Sequence, residues 1–209
     1  MRPAVFLDRD NTLMANDGDC GDPAAVRLLP EVPEGLLVLR SRGFRLVVVS
    51  NQGGVARGAF SESDVVAVNA RLAALLDAAT NVPGTIDRFY WCPFHPDAAI
   101  ETYRGDHPWR KPNPGMLHRA AADLDLDLAR SWIIGDAVRD AEAGRRAGCR
   151  SVLLAPARPP ELAAETICAP SFAAAVIAII GAIDKAPGAG WSDEPALDER
   201  GIDGRGRDG

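Results

Sequence analysis

Short apolar runs, each ending in polar residues, recur along this chain. Residues 4–7 (Ala-Val-Phe-Leu) are apolar throughout and lead into Asp8-Arg9-Asp10. Such a run reads as a strand buried on both faces, as parallel sheets require. Residues 45–49 (Arg-Leu-Val-Val-Val) repeat the pattern and lead into Ser50-Asn51. Residues 86–91, 131–134 and 151–154 supply three more strands. Between them lie segments with helical spacing. Residues 31–42 carry Leu36, Leu37 and Leu39 and close on Gly43, a helix-ending residue. Ser61 opens a helix reaching about residue 79, as its N-cap, with Asp64 in the capping-box position. Residues 116–123 and 140–147 predict two more helices, and the apolar run 172–183 a buried one. The Pro- and His-rich stretch 93–114 reads as an ordered loop.

Strands alternating with helices predict an α/β fold, a Rossmann-like three-layer sandwich around a central parallel sheet. Ligands of such sheets bind beyond the carboxyl ends of the strands. Asp8/Asp10, Ser50/Asn51 and Asp136 each follow a predicted strand directly. Residues 1–184 form the expected domain. Residues 185–209 are dense in Gly, Asp, Glu and Arg and read as a disordered tail.

Composition narrows the function. The net charge of −6 disfavours binding to a nucleic-acid backbone, which needs clustered Lys and Arg. It leaves room for a small phosphorylated metabolite held by a local cationic site. The 172–183 run is too short to span a bilayer. The N-terminus places charges where a secretion signal needs apolar residues. The four cysteines are irregularly spaced and suit buried thiols in a reducing compartment. A cytoplasmic monomer is the expectation.

Four polar clusters carry the chemistry. Asp8 and Asp10 are two carboxylates that share a face if the strand continues. Crowding them is costly unless a cation or a reaction occupies the site, and a carboxylate is a competent nucleophile in phosphoryl transfer. Alone, the pair could equally be solvated turn residues. The loop Ser50-Asn51-Gln52-Gly53-Gly54 offers a hydroxyl, amides and free N–H groups to phosphate oxygens, or is simply a polar turn. Arg110-Lys111 can neutralise charge on a transferring phosphoryl group, or be a solvated basic pair. Asp136 suits Mg²⁺, which prefers oxygen ligands, and Asp140 lies one helical turn on; either could instead cap a helix.

Together, Asp-x-Asp-x-Thr (Asp8, Asp10, Thr12), Ser50, Lys111 and Gly-Asp-x-x-x-Asp (Asp136, Asp140) resemble the motif set of the haloacid-dehalogenase-like (HAD) phosphatases, over roughly residues 4–155. The stretches 6–10, 50–58 and 110–116 are similar to the histidinol-phosphate and heptose-bisphosphate phosphatase group, the heptose branch more so. The resemblance implies an Mg²⁺-dependent phosphatase of capless HAD fold. Asp8 would attack phosphorus and Asp10 act as general acid and base. Asp8, the Asp10 main-chain carbonyl and Asp136 would hold Mg²⁺. Ser50, Asn51 and Lys111 would bind the phosphate, and Arg57 and Arg110 the substrate. Thr12 would support the site, and Asp140 would support either the metal or Lys111.

Two departures stand out. Asn11 replaces the usual glycine, and asparagine tolerates left-handed backbone. The zinc loop typical of the group is eroded: Cys92 remains, Phe94 replaces its histidine, and the later cysteine pair maps to His107 and Trp109. A substitute zinc site from Cys92, His95 and His107 is conceivable. The expectation is a metal-free loop packed on Trp91, Phe94 and Trp109. Competing readings are histidinol phosphate as substrate, an inactive phosphate-binding scaffold, and a receiver domain. The last would separate its acceptor aspartate from the acidic pair.

Overall fold

The computed structural model describes residues 1–185, so the expected tail lies outside the described residues apart from Lys185. Ala4–Leu7 (β1) pairs in parallel with Arg45–Asn51 (β2) on one side and Trp132–Gly135 (β4) on the other. Arg88–Cys92 (β3) lies outside β2; Arg150–Leu154 (β5) and Ile167–Ala169 (β6) extend the far side. The sheet order is β3-β2-β1-β4-β5-β6, all parallel. The order reverses between β1 and the β4 side, which opens a crevice at the carboxyl ends of β1, β2 and β4.

Alternation along β1 splits the core. Val5 and Leu7 face Val32–Ser41 (α1), Glu62–Thr80 (α3) and Phe172–Asp184 (α6). Ala4 and Phe6 face Gly115–Leu124 (α4) and Val138–Ala147 (α5). Both faces of the sheet are therefore covered, and β1 is fully buried.

The predicted helix ends hold. Ser61 Oγ accepts the Asp64 N–H and Asp64 Oδ2 accepts the Ser61 N–H at 2.8 Å, a complete capping box. Gly43 follows α1 in the left-handed region at φ 79°. Elsewhere the bounds move for local reasons. β3 starts at Arg88, two residues after the expected start, because the Asp87 carboxylate takes the Leu46 N–H at 2.7 Å and pairs with Arg45 at 2.6 Å. Residues 53–60, expected as a loop, contain a short helix, Gly53–Arg57 (α2), closed by Gly58 at φ 75°. Its paired glycines fit because a Cβ on Gly54 would enter the Phe60 ring. β6 is three residues long, too short to show a pattern in sequence.

Among the described residues no helix is long and apolar enough to cross a membrane.

Candidate active site

Asp8 is the first residue after β1, and its N–H bonds the Ile134 carbonyl at 2.9 Å. That bond fixes the nucleophile candidate between β1 and β4. Ser50 and Asn51 end β2, and Asp136 is the first residue after β4. Lys111 arrives from the far loop and is fully buried. Its Nζ lies 2.8 Å from Asp8 Oδ1, 2.6 Å from Asp140 Oδ1 and 2.7 Å from the Val49 carbonyl. Burial alone would lower its pKa, but Asp140 and Asp8 outweigh that and raise it. Burial pushes the Asp8 carboxyl up to about 6, with Asp140 and Asp10 adding to the shift and Lys111 opposing it. Asp136 is also raised, by burial and then by the Asp8 charge, with Arg139 opposing.

The Asp140 side chain makes two contacts at once. Its Oδ2 accepts the Ala137 N–H at 3.1 Å, which caps α5, while Oδ1 grips Lys111. The helix consequently begins at Val138, two residues before the expected start. Gly135 is required here, because a Cβ on it would collide with the Asp140 side chain. We expect Gly135→Ala to lower stability by about 1–3 kcal/mol through overpacking and to displace Asp140 from Lys111. Chemical denaturation checks the first effect, and a drop in turnover at unchanged fold checks the second.

The site is a cavity of about 360 Å³. Asp8, Asp10, Asp136 and Lys111 lie in its wall, as do Arg57, Arg110, Arg139 and His95. Arg57 is held by Asp19 through two nitrogens, with Nη2–Oδ2 at 2.7 Å. Arg110 donates to the Phe94 carbonyl at 3.0 Å. Burial lowers the Arg110 pKa, and the charges of Arg139 and Arg57 lower it further. A cationic rim thus stands over an acidic floor.

The Asn51 side chain is engaged by the main chain of Lys111. Its Oδ1 accepts the Lys111 N–H and its Nδ2 donates to the Lys111 carbonyl, both at 2.9 Å. The amide therefore clamps the main chain that delivers Lys111, and Asn51 also lies in the cavity wall. Ser50 Oγ accepts from Gln52 Nε2 at 2.7 Å and lies 3.5 Å from Asp10 Oδ2. Thr12 is fully buried behind the acidic turn. Asn11 adopts φ 53°, the geometry that makes asparagine an acceptable substitute for glycine there.

A divalent cation fits the acidic floor. Carboxylate oxygens of Asp8, Asp136 and Asp140 lie within 4.8 Å of one another. Among the described residues Asp136 Oδ1 is buried with no hydrogen-bond partner, the state expected of an atom reserved for a cation. An all-oxygen donor set suits Mg²⁺. Asp140 is engaged on both oxygens, which leaves Asp8 and Asp136 as the direct side-chain donors. Among the described residues this is the sole group of three potential ligands that converges; Cys92, His95 and His107 are not brought together. His107 instead stacks on Phe94 at 4.2 Å between ring centres, and its Nδ1 accepts the Trp109 N–H. Trp109 packs edge-on against Tyr90 and His107.

Sequence reasoning assigned no individual role to Arg9, Asn16 or Arg139, and took Gln52 only as part of the phosphate-cradling loop. Arg9 has zero exposure despite its charge, and Gln52 Nε2 reaches Asp10 Oδ2 at 3.0 Å. A signal existed: Asn69 is an amide in the apolar stripe of α3, between Val65, Val68 and Leu72, and a buried amide demands a partner.

The parallel α/β sheet thus gathers paired carboxylates after its first strand, a buried lysine and a cation-ready acidic floor in one cavity. A HAD-hydrolase-like family model matches residues 108–175. A D-glycero-beta-D-manno-heptose-1,7-bisphosphate 7-phosphatase from Rhodopseudomonas palustris is 37% identical over 147 residues, covering 70% of this chain and 80% of that protein. Its counterpart in Mesorhizobium japonicum is 42% identical over 146 residues, covering 70% and 66%. The crystal structure of the D,D-heptose 1,7-bisphosphate phosphatase of B. bronchiseptica, complexed with magnesium and phosphate, superposes with a TM-score of 0.71 at 27% identity, covering 86% of this chain and 99% of that one. The chain belongs to the HAD-like superfamily, among its phosphatases.

Proposed function

We propose that the protein is an Mg²⁺-dependent phosphomonoester hydrolase that removes the C7 phosphate from D-glycero-D-manno-heptose 1,7-bisphosphate or a closely similar sugar bisphosphate. The observation that carries the reading is the buried Asp8–Lys111–Asp140 array at the base of a cavity with a cationic rim. The relatives named for this substrate support it.

The chain's own residues supply the steps. Asp8 attacks phosphorus in line while the leaving oxygen departs, forming a phosphoryl-aspartate. Asp10 gives a proton to the leaving oxygen, then takes one from the water that hydrolyses the intermediate. Lys111, beside Asp8, neutralises phosphoryl oxygens, and the N–H groups after β2 line the same space. Asp8, Asp136 and the Asp10 carbonyl would hold Mg²⁺, which offsets the repulsion between Asp8 and an anionic phosphate. Arg57, Arg110 and Arg139 provide for a second anionic group on the leaving side, which favours a bisphosphate over histidinol phosphate. The proposal includes a monomer acting in the cytoplasm on a metabolite and not on nucleic acid.

The test is phosphate release from heptose 1,7-bisphosphate, fructose 1,6-bisphosphate, histidinol phosphate and glycerol phosphates, with Mg²⁺ and with chelator. Metal-dependent release greatest on the heptose bisphosphate is expected. Release greatest on histidinol phosphate would reassign the branch. No release from any of the four would favour the inactive scaffold.

A further inference from the structure

The charge of Arg9 is the buried feature that the mechanism above leaves unused. Arg9 is a complete guanidinium with zero exposure, inserted between the nucleophile and the acid/base. Its Nε lies 3.2 Å from Asp10 Oδ2 and its Nη2 3.2 Å from Asp10 Oδ1, so it faces both carboxylate oxygens. Nη2 also donates to Gln52 Oε1 at 2.9 Å, and Nη1 to Asn69 Oδ1 at 3.2 Å. Gln52 then returns its own Nε2 to Asp10 Oδ2 at 3.0 Å, closing a ring. Asn69 belongs to α3 and is buried, so it anchors the ring to the scaffold. From the cavity side, Asn16 Nδ2 donates to Asp10 Oδ1 at 2.7 Å.

Burying an arginine is expensive, and the cost is tolerated where pairing is complete. Here the pairing fixes the orientation of one carboxylate in two dimensions, as a planar fork does and a point charge does not. Arg9, Gln52 and Asn16 each present N–H groups to Asp10.

We propose that Arg9, braced by Asn69, is a positioning residue that orients Asp10 for the second half-reaction, in which Asp10 takes a proton from water as the water oxygen bonds phosphorus and the Asp8–phosphorus bond breaks. The inference rests on the phosphatase reading above. The first half-reaction depends on the clamp far less when the leaving group needs no proton.

p-Nitrophenyl phosphate provides such a leaving group. With the full chain and Mg²⁺, Arg9→Lys lowers kcat by roughly 100-fold, the scale of a misplaced acid/base group. kcat/KM, which reports the first half-reaction, stays near the wild-type value. A burst of nitrophenolate appears, and the acid-quenched protein carries one phosphoryl group by intact mass. Asn69→Ala gives the same pattern with a fall of roughly 10-fold, as expected for one hydrogen bond to a buried charge. Should circular dichroism show Arg9→Lys unfolded, Asn69→Ala decides. Unchanged kcat in the folded variants overturns the proposal. So does an equal loss in kcat and kcat/KM without phosphoprotein, which is what a merely structural arginine would give. Wild type without turnover that Asp8→Asn removes would instead sink the phosphatase reading itself.

Discussion

Asp8→Asn is expected to reduce Mg²⁺-dependent phosphate release by roughly 10⁴-fold or more while leaving the fold intact. The amide is nearly isosteric with the carboxylate. Its oxygen can still accept from Lys111 Nζ, which is 2.8 Å from Asp8 Oδ1. What disappears is the charge that makes the oxygen a nucleophile, so no phosphoryl-protein should form. A thermodynamic signature accompanies the loss. Burial raises the folded-state pKa of Asp8 from 3.8 to about 6. An acid raised in this way binds its proton more tightly in the folded state. Its contribution is therefore most favourable at low pH and is lost as pH rises through about 6. Asn carries no such charge. In chelator, Asp8→Asn should melt at or above the wild-type temperature at pH 8, and the gap should close below about pH 6. Turnover by the variant within tenfold of wild type, or a lower melting temperature at pH 8 alone, would contradict this account of Asp8.

The second large effect concerns Lys111. Lys111→Met preserves chain length and apolar stem but removes the cation 2.8 Å from Asp8 and 2.6 Å from Asp140. Two carboxylates then face each other in a site closed to solvent. Breaking a buried pair from one side costs about 3–5 kcal/mol, because the remaining charge stays desolvated. For a domain of this size that is a fall in Tm on the order of 10 °C. Activity should drop roughly 10³-fold, the scale of losing a group that stabilises developing charge in a water-poor site. The two losses should separate when Mg²⁺ is added. A divalent cation can restore charge balance beside Asp8, so Tm should recover more in the variant than in wild type. It cannot replace the ammonium aimed at the phosphoryl oxygens, so turnover should stay low. A differential thermal melt with and without Mg²⁺ reads this directly, and a variant as stable as wild type in chelator would show that the array contributes little.

Much of this was legible in the chain. Uninterrupted apolar runs at 4–7 and 46–49 suit strands of a sheet covered on both faces, and the structure buries both. The capping box at Ser61 and the glycine after α1 depend on interactions a few residues apart, so they read correctly from sequence alone. Asp8 and Asp136 each directly follow a buried strand, and the structure places both in the cavity wall. Harder were the elements whose existence depends on distant partners. β6 has three residues and is a strand because β5 offers it an edge. α2 begins with two glycines and is a helix because Phe60 closes over one of them.

The sequence by itself determined the layer order, the strand ends at which chemistry sits, and the residue types available there, because these follow from local periodicity and from residues adjacent along the chain. The tertiary structure alone decided how those residues are used. The Asn51 amide clamps a distant loop because Lys111, 60 positions later, presents its main chain to it. Asp140 faces Lys111 because a glycine in β4 leaves room for its side chain. Arg9 can be buried because Asn69, on a helix 60 positions away, receives one of its nitrogens. Hydrogen bonds and ion pairs act over about 3 Å, and which groups come that close is set by the closing of the sheet and not by position along the chain.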